Sequence, residues 1–130
     1  MLKVVVADDS DLMRERLVTM LSELKDVELV GQANDANEAL EIIRRLRPDV
    51  AILDIRMPGG GGIRVLETIK QEDSSPLVII LTAYPYPQYR KRCLQAGADY
   101  FADKNTEFDS VGELLERLGR EKSSGVRVLN

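Results

Sequence analysis

Apolar and polar positions change period several times along the chain, and each change marks an element. Five short stretches are apolar and rich in β-branched residues: KVVVAD (3–8), VELVGQA (27–33), DVAILD (49–54), PLVIILT (76–82) and ADYFAD (98–103). The more continuous of these suit strands buried on both faces, as in a parallel sheet covered by helices. Between them, apolar residues recur in steps of three and four. Met13, Leu17, Met20 and Leu24 form one such stripe, Ala36, Leu40, Ile43 and Leu46 a second, Ile63, Leu66 and Ile69 a third, and Phe108, Val111, Leu115 and Leu118 a fourth. Those steps place side chains on one face of a helix. Asp35 with Glu38, and Thr106 with Asp109, have the spacing of helix-capping pairs, while Gly97 and Gly119 stand where helices are expected to end. A further helix over 86–96 is predicted with a thin apolar face, Tyr89, Cys93 and Ala96, and a basic one, the RKR of 90–92. After Gly119 the segment REKSSGVRVLN has linker composition with a short apolar end.

Strand and helix thus alternate five times, with connections long enough for parallel crossovers, which predicts a doubly wound α/β fold with a five-stranded parallel sheet and five helices. In such open sheets ligands bind beyond the carboxyl ends of the strands, near the point where strand order reverses. A length of 130 residues suits one domain. The net charge of −4 offers no basic surplus to neutralise phosphates, so direct nucleic-acid binding is not expected. The single cysteine, Cys93, makes no intramolecular disulfide and suits a reducing, cytoplasmic setting. No signal peptide is expected before Val4, and no apolar run approaches membrane-spanning length. The chain has no histidine, which excludes zinc–histidine sites, Ser–His catalysis and histidine general bases.

Chemistry collects at the predicted strand ends. Asp8 and Asp9 stand side by side after the first strand, Asp54 ends the third, Thr82 ends the fourth, and Lys104 follows the fifth. Like charges held this close in a partly dry site force protonation of one unless a cation joins them. Three carboxylates offer the hard oxygen ligands that suit Mg²⁺, an ion that binds one or two carboxylates together with a phosphate. A hydroxyl at Thr82 and a point positive charge at Lys104 suit the remaining oxygens of a phosphoryl group in transfer.

These motifs, ADD after the first strand, ILDIRMP with its Met-Pro, LTA after the fourth and DK after the fifth, resemble the receiver domain of two-component response regulators over residues 2–118. The resemblance implies a flavodoxin-like sheet in the order 2-1-3-4-5. It also implies that Asp54 accepts a phosphoryl group from a phosphohistidine on a sensor histidine kinase or a histidine phosphotransfer protein. Asp8, Asp9, Asp54 and the main-chain carbonyl of Arg56 would hold Mg²⁺, Thr82 and Lys104 would bind the phosphate, and Thr82 with Phe101 would form the switch. Arg56 and Tyr84 occupy the variable positions that affect phosphate lifetime. The domain is expected over 1–120, with 121–130 a tail or the start of a linker. The surface over 86–118, carrying RKR and ELLERL, is expected to meet a downstream protein or a second copy of the chain. The only catalysis expected is of the domain's own phosphorylation and dephosphorylation.

Three local departures are expected to matter. Asn105 stands where the family often has a cis-proline, and a cis bond before a non-proline residue costs about 3–4 kcal/mol, so a trans bond is expected. The Met-Pro runs into GGGG (59–62), which lacks the acidic residue often found at the position of Gly61 and suggests a loose loop. Arg56 and Tyr84 are bulky and stand to hinder an attacking water. Two rivals fit less well: a phosphate-independent pseudo-receiver would not need the full acid set, and an aspartate-nucleophile, Mg²⁺-dependent phosphohydrolase would carry a second acid where this chain has Arg56.

Overall fold

The computed structural model describes residues 1–73 and 75–125. Its elements are β1 (Leu2–Ala7), α1 (Asp11–Ser22), β2 (Val27–Ala33), α2 (Ala36–Leu46), β3 (Val50–Leu53), α3 (Gly61–Ile69), β4 (Leu77–Thr82), α4 (Pro87–Gln95), β5 (Tyr100–Asp103) and α5 (Phe108–Ser123). The five strands form one parallel sheet in the order β2-β1-β3-β4-β5, the expected flavodoxin-like topology. Strand order reverses at β1, so the connections after β1 and β3 leave for opposite faces of the sheet, to α1 and α3, and leave between them the crevice in which the acidic residues lie.

Successive residues of a strand point to opposite faces, and the core divides accordingly. Val5, Ala7, Ala51, Leu53, Val78, Ile80 and Phe101 pack with the inner sides of α2, α3 and α4. Val4, Val6, Val50, Ile52, Ile79 and Leu81 pack with Leu17 and Leu21 of α1 and with Val111, Leu115 and Leu118 of α5. Leu53, Leu66 and Leu115 are fully buried. Each contributes about 2 kcal/mol by leaving water. This two-sided core packs both faces of β1 and β3, which lead into the acidic residues.

Asp35 accepts a hydrogen bond from the Glu38 amide at 2.8 Å and caps α2 as its spacing predicts. Helix α4 has a single buried residue, Cys93, and opens with Pro87, whose missing N–H costs nothing at that position. Two expectations fail in α5. Thr106 is not its cap: Glu107 holds that position, its amide donating to the Asp103 carbonyl (2.8 Å) while its carboxylate accepts from the Asp103 amide (3.0 Å). Gly119 does not end the helix, which runs on to Ser123 and so crosses the boundary expected at residue 120. Gly119 is a close-approach position, where a Cβ would lie 2.9 Å from the Asp26 carbonyl oxygen. Beyond it, Lys122 donates to the Met1 carbonyl (3.1 Å) and to the Asp49 carboxylate (2.7 Å), tying the last turn to the starts of β1 and β3. Of the expected tail, 126–130 lies outside the described residues. No helix among the described residues is long and apolar enough to cross a membrane.

Candidate functional site

The site is built by strand ends. Hydrogen bonding continues one residue past each strand, from the Asp8 amide to Ala33 and from the Asp54 amide to Ala7, both at 3.0 Å. Those bonds fix two carboxylates at adjacent positions on the sheet's carboxyl edge, where Asp8 is 2% and Asp54 6% exposed. The Asp8 Oδ1 atom accepts the Ser10 amide at 2.9 Å, and Ser10 in turn caps α1 by accepting the Met13 amide at 3.2 Å. Asp9, between them, is exposed. Asp8, Asp9 and Asp54 each offer one carboxylate oxygen within 4.8 Å of the others.

Lys104, 8% exposed, reaches this cluster from the loop after β5. Its ammonium lies 2.6 Å from Asp8 Oδ2 and 3.2 Å from Asp54 Oδ2. Its amide donates to the Thr82 carbonyl at 2.9 Å, so Lys104 and Thr82 are coupled through the main chain. Thr82 is fully buried, and its hydroxyl oxygen accepts the Tyr84 amide at 2.9 Å. The Lys104–Asn105 peptide is trans, as the asparagine requires.

One ammonium shared by two buried carboxylates leaves the site short of positive charge. The Asp54 carboxyl is pushed up to about 6, chiefly by burial; Lys104 pulls it down, and Asp8 pushes it up further. The Arg56 amide also favours the charged form. Even so, Asp54 Oδ1 is buried and has no hydrogen-bond partner among the described residues. A buried carboxylate oxygen without a partner, on a residue grouped with two further carboxylates, is an unfinished coordination set, and the all-oxygen character of the group fits a hard divalent cation such as Mg²⁺.

The loop after β3 departs from expectation. Gly59, Gly60 and Gly61 have φ of 85°, 106° and 73°, in the left-handed region, and Gly61 and Gly62 are buried. A Cβ at Gly61 would lie 2.1 Å from the Ile55 carbonyl oxygen, and one at Gly62 2.1 Å from that of Asp54. The run of glycines is therefore not slack. It lets α3 start directly against the backbone that carries Asp54, and it leaves no room at Gly61 for the acidic side chain that the family often has there.

Of the other expected residues, Arg56 and Tyr84 lie on the loops after β3 and β4, and Phe101 lies in β5. Arg56 lays its guanidinium over the Tyr84 ring, 3.8 Å from the centroid, so these two side chains form one stack that joins the loops after β3 and β4. Tyr84 continues into Tyr86 and Tyr89, at ring separations of 6.3 and 5.7 Å. Phe101 is buried in the core beneath α4, with the Arg90 guanidinium 5.7 Å above its ring. Sequence reasoning did not name Ser10 or Arg14, whose guanidinium reaches the Asp8 carbonyl at 2.5 Å, and it read the glycines as a loose loop rather than as a close approach. The Ser10-Asp11 that follows the acid pair was a capping signal that points to Ser10, whereas contacts of Gly62 and Arg14 appear only in three dimensions.

A five-stranded sheet in this order, with carboxylates at the ends of β1 and β3, a threonine at the end of β4 and a lysine after β5, is the framework of a receiver. Residues 4–118 match the response regulator receiver domain, and the chain belongs to that family. It is 30% identical over 118 residues to the response regulator GacA of Pseudomonas aeruginosa, covering 91% of this chain and 55% of that protein. The signal receiver domain of the putative response regulator NarL from Mycobacterium tuberculosis superposes with a TM-score of 0.84 at 34% identity, covering 92% of this chain and 96% of that one. A chain of the CheX-CheY-BeF3-Mg²⁺ complex from Borrelia burgdorferi superposes with a TM-score of 0.76 at 27% identity, covering 86% of this chain and 87% of that one. The chain spans about half the length of the curated relatives it matches. It is thus a receiver domain of two-component signalling, a family that takes phosphoryl groups from kinases and acts on downstream partners.

Proposed function

We propose that Asp54 is the phospho-acceptor of this receiver and that the reaction depends on Mg²⁺ held by Asp8, Asp9, Asp54 and the Arg56 carbonyl. The observation that carries this reading is the buried, unpartnered Oδ1 of Asp54 at the convergence of three carboxylates and Lys104. In the transfer an Asp54 carboxylate oxygen forms a bond to phosphorus, the phosphorus–nitrogen bond of a phosphohistidine on the kinase or phosphotransfer partner breaks, and the leaving imidazole recovers a proton. When bound, the cation offsets the charge of the incoming phosphoryl oxygens. The chain's own residues do the rest. Burial keeps water from Asp54, Lys104 is placed to move its ammonium from the carboxylates to a phosphoryl oxygen, and the Thr82 hydroxyl is free to donate while its oxygen holds the Tyr84 amide. The Borrelia burgdorferi complex contains BeF3 and Mg²⁺ on a related framework, which supports both halves of the reading.

The stack of Arg56 on Tyr84, on the loops that follow Asp54 and Thr82, supports a role in phosphate lifetime: two bulky side chains there would hinder an attacking water. The output runs through Thr82: drawing its hydroxyl toward phosphate releases the Tyr84 amide and alters the loop into α4, and with Phe101 it shifts the surface over 86–118 toward a downstream partner or a second copy. The receiver unit comprises 1–120 together with the last turn of α5, and its catalysis is confined to its own phosphorylation and dephosphorylation. Amide NMR with and without a small phosphodonor and Mg²⁺ tests this. Shifts are expected at Asp8, Asp54, Thr82 and Lys104 and across 86–118. Shifts confined to the acidic loops would remove the coupling, and no shifts at all would remove the acceptor.

A further inference from the structure

Arg14 is out of place by ordinary helix rules. It lies in the first turns of α1, where the exposed amides favour anions, yet it carries a permanent cation. Its side chain also folds back over the helix start, at a cost in rotamer freedom, and only 17% of it is exposed. The gain lies at the acidic pair. One guanidinium nitrogen donates to the Asp8 main-chain carbonyl at 2.5 Å, and another pairs with the Asp11 carboxylate. The Asp8 carbonyl belongs to the peptide that joins Asp8 to Asp9. The other end of the Asp8 residue is already fixed, its amide by Ala33 and its carboxylate by Ser10 and Lys104. The Asp9 side chain has no hydrogen-bond or ion-pair partner among the described residues, and the residue is exposed. What aims Asp9 is therefore the plane of the peptide before it, and Arg14 holds that plane.

We propose that Arg14 is a positioning residue for the divalent-cation site: by clamping the Asp8–Asp9 peptide it aims the Asp9 carboxylate at Asp8 and Asp54. The inference rests on the Mg²⁺ reading above. It also makes a prediction opposite in sign to that of simple charge. A guanidinium this close repels a divalent cation, so losing it should tighten binding if charge were its only effect. Losing a clamp on a ligand weakens binding, by about tenfold or more where second partners orient metal ligands.

The test is calorimetric titration of the full chain with MgCl₂ at constant ionic strength and neutral pH, for wild type, Arg14→Gln, Arg14→Lys and Asp9→Asn. Melting in EDTA is run alongside. The expected result is that Arg14→Gln weakens Mg²⁺ binding about tenfold, and that Arg14→Lys, which keeps one donor for the Asp8 carbonyl, loses less. Equal or tighter Mg²⁺ binding by Arg14→Gln overturns the proposal, and a lowered melting temperature with unchanged affinity assigns Arg14 to stability alone. If wild type binds no Mg²⁺, or Asp9→Asn binds it as well as wild type, the metal site fails and the role of Arg14 with it.

Discussion

Replacing Asp54 with asparagine removes a buried charge while keeping the side-chain shape, so its effect on stability follows from the acceptor's electrostatics. The carboxyl moves from 3.8 to about 6 on folding, because burial outweighs the attraction of Lys104. Between those values the folded protein binds more protons than the unfolded chain, so this group's contribution to stability falls as pH rises from about 4 to about 6. Above that range the deficit is constant. A shift of this size corresponds to about 3 kcal/mol. Asp54→Asn should recover much of it at pH 7, less whatever the amide loses beside Lys104, which keeps Asp8 at 2.6 Å. Near pH 4, where the carboxyl is protonated in wild type, the gain should nearly vanish. Urea unfolding followed by circular dichroism, in EDTA at both pH values, reads this directly. Mg²⁺ should offset most of that difference, since a ligand at about 100 times its Kd stabilises the folded state by about 2.7 kcal/mol, and only wild type has the full site. An Asp54→Asn protein no more stable than wild type at pH 7 without metal, or equally stabilised near pH 4, would refute the reasoning.

Asp9→Asn should lose most of the Mg²⁺-induced rise in melting temperature with little change in EDTA, since its carboxylate is exposed and unpaired in the absence of metal; an equal shift in both proteins would remove Asp9 from the site. Gly62→Ala places a Cβ 2.1 Å from the Asp54 carbonyl oxygen; it should cost about 1–3 kcal/mol in urea unfolding and slow phosphorylation, because the backbone under the acceptor must move. Lys122→Ala releases the last turn of α5 from Met1 and Asp49, and hydrogen exchange should rise in 119–123 while the acidic site is unaffected.

The fold was legible because its strands are continuous apolar runs and its helices carry single stripes, and both signals survive without knowledge of neighbours. The acid set was legible for a related reason: Asp8, Asp9, Asp54 and Lys104 immediately follow strands, so topology alone brings them to one edge. Gly119 was misread because a glycine that ends a helix and a glycine that lets a helix approach another backbone look alike in sequence; contact with the Asp26 carbonyl decides between them. Thr106 lost its cap to Glu107 because Asp103 offered both an amide and a carbonyl within reach. The four glycines suggested a loose loop, but the space beside Gly61 and Gly62 is filled by the Ile55 and Asp54 carbonyls, which no local signal reports. Arg14 was invisible for a different reason: its role depends on the direction its side chain folds, back across the helix start to a strand-end carbonyl.

Phosphorylation of the full chain by a small phosphodonor tests the acceptor assignment most directly. With Mg²⁺, intact-mass analysis should show one added phosphoryl group on wild type, released at alkaline pH as an acyl phosphate is, and none when EDTA replaces the metal. Asp54→Asn should remain unmodified under the same conditions. A phosphoryl group retained by that variant, or one on wild type that survives alkali, would contradict Asp54 as the acceptor.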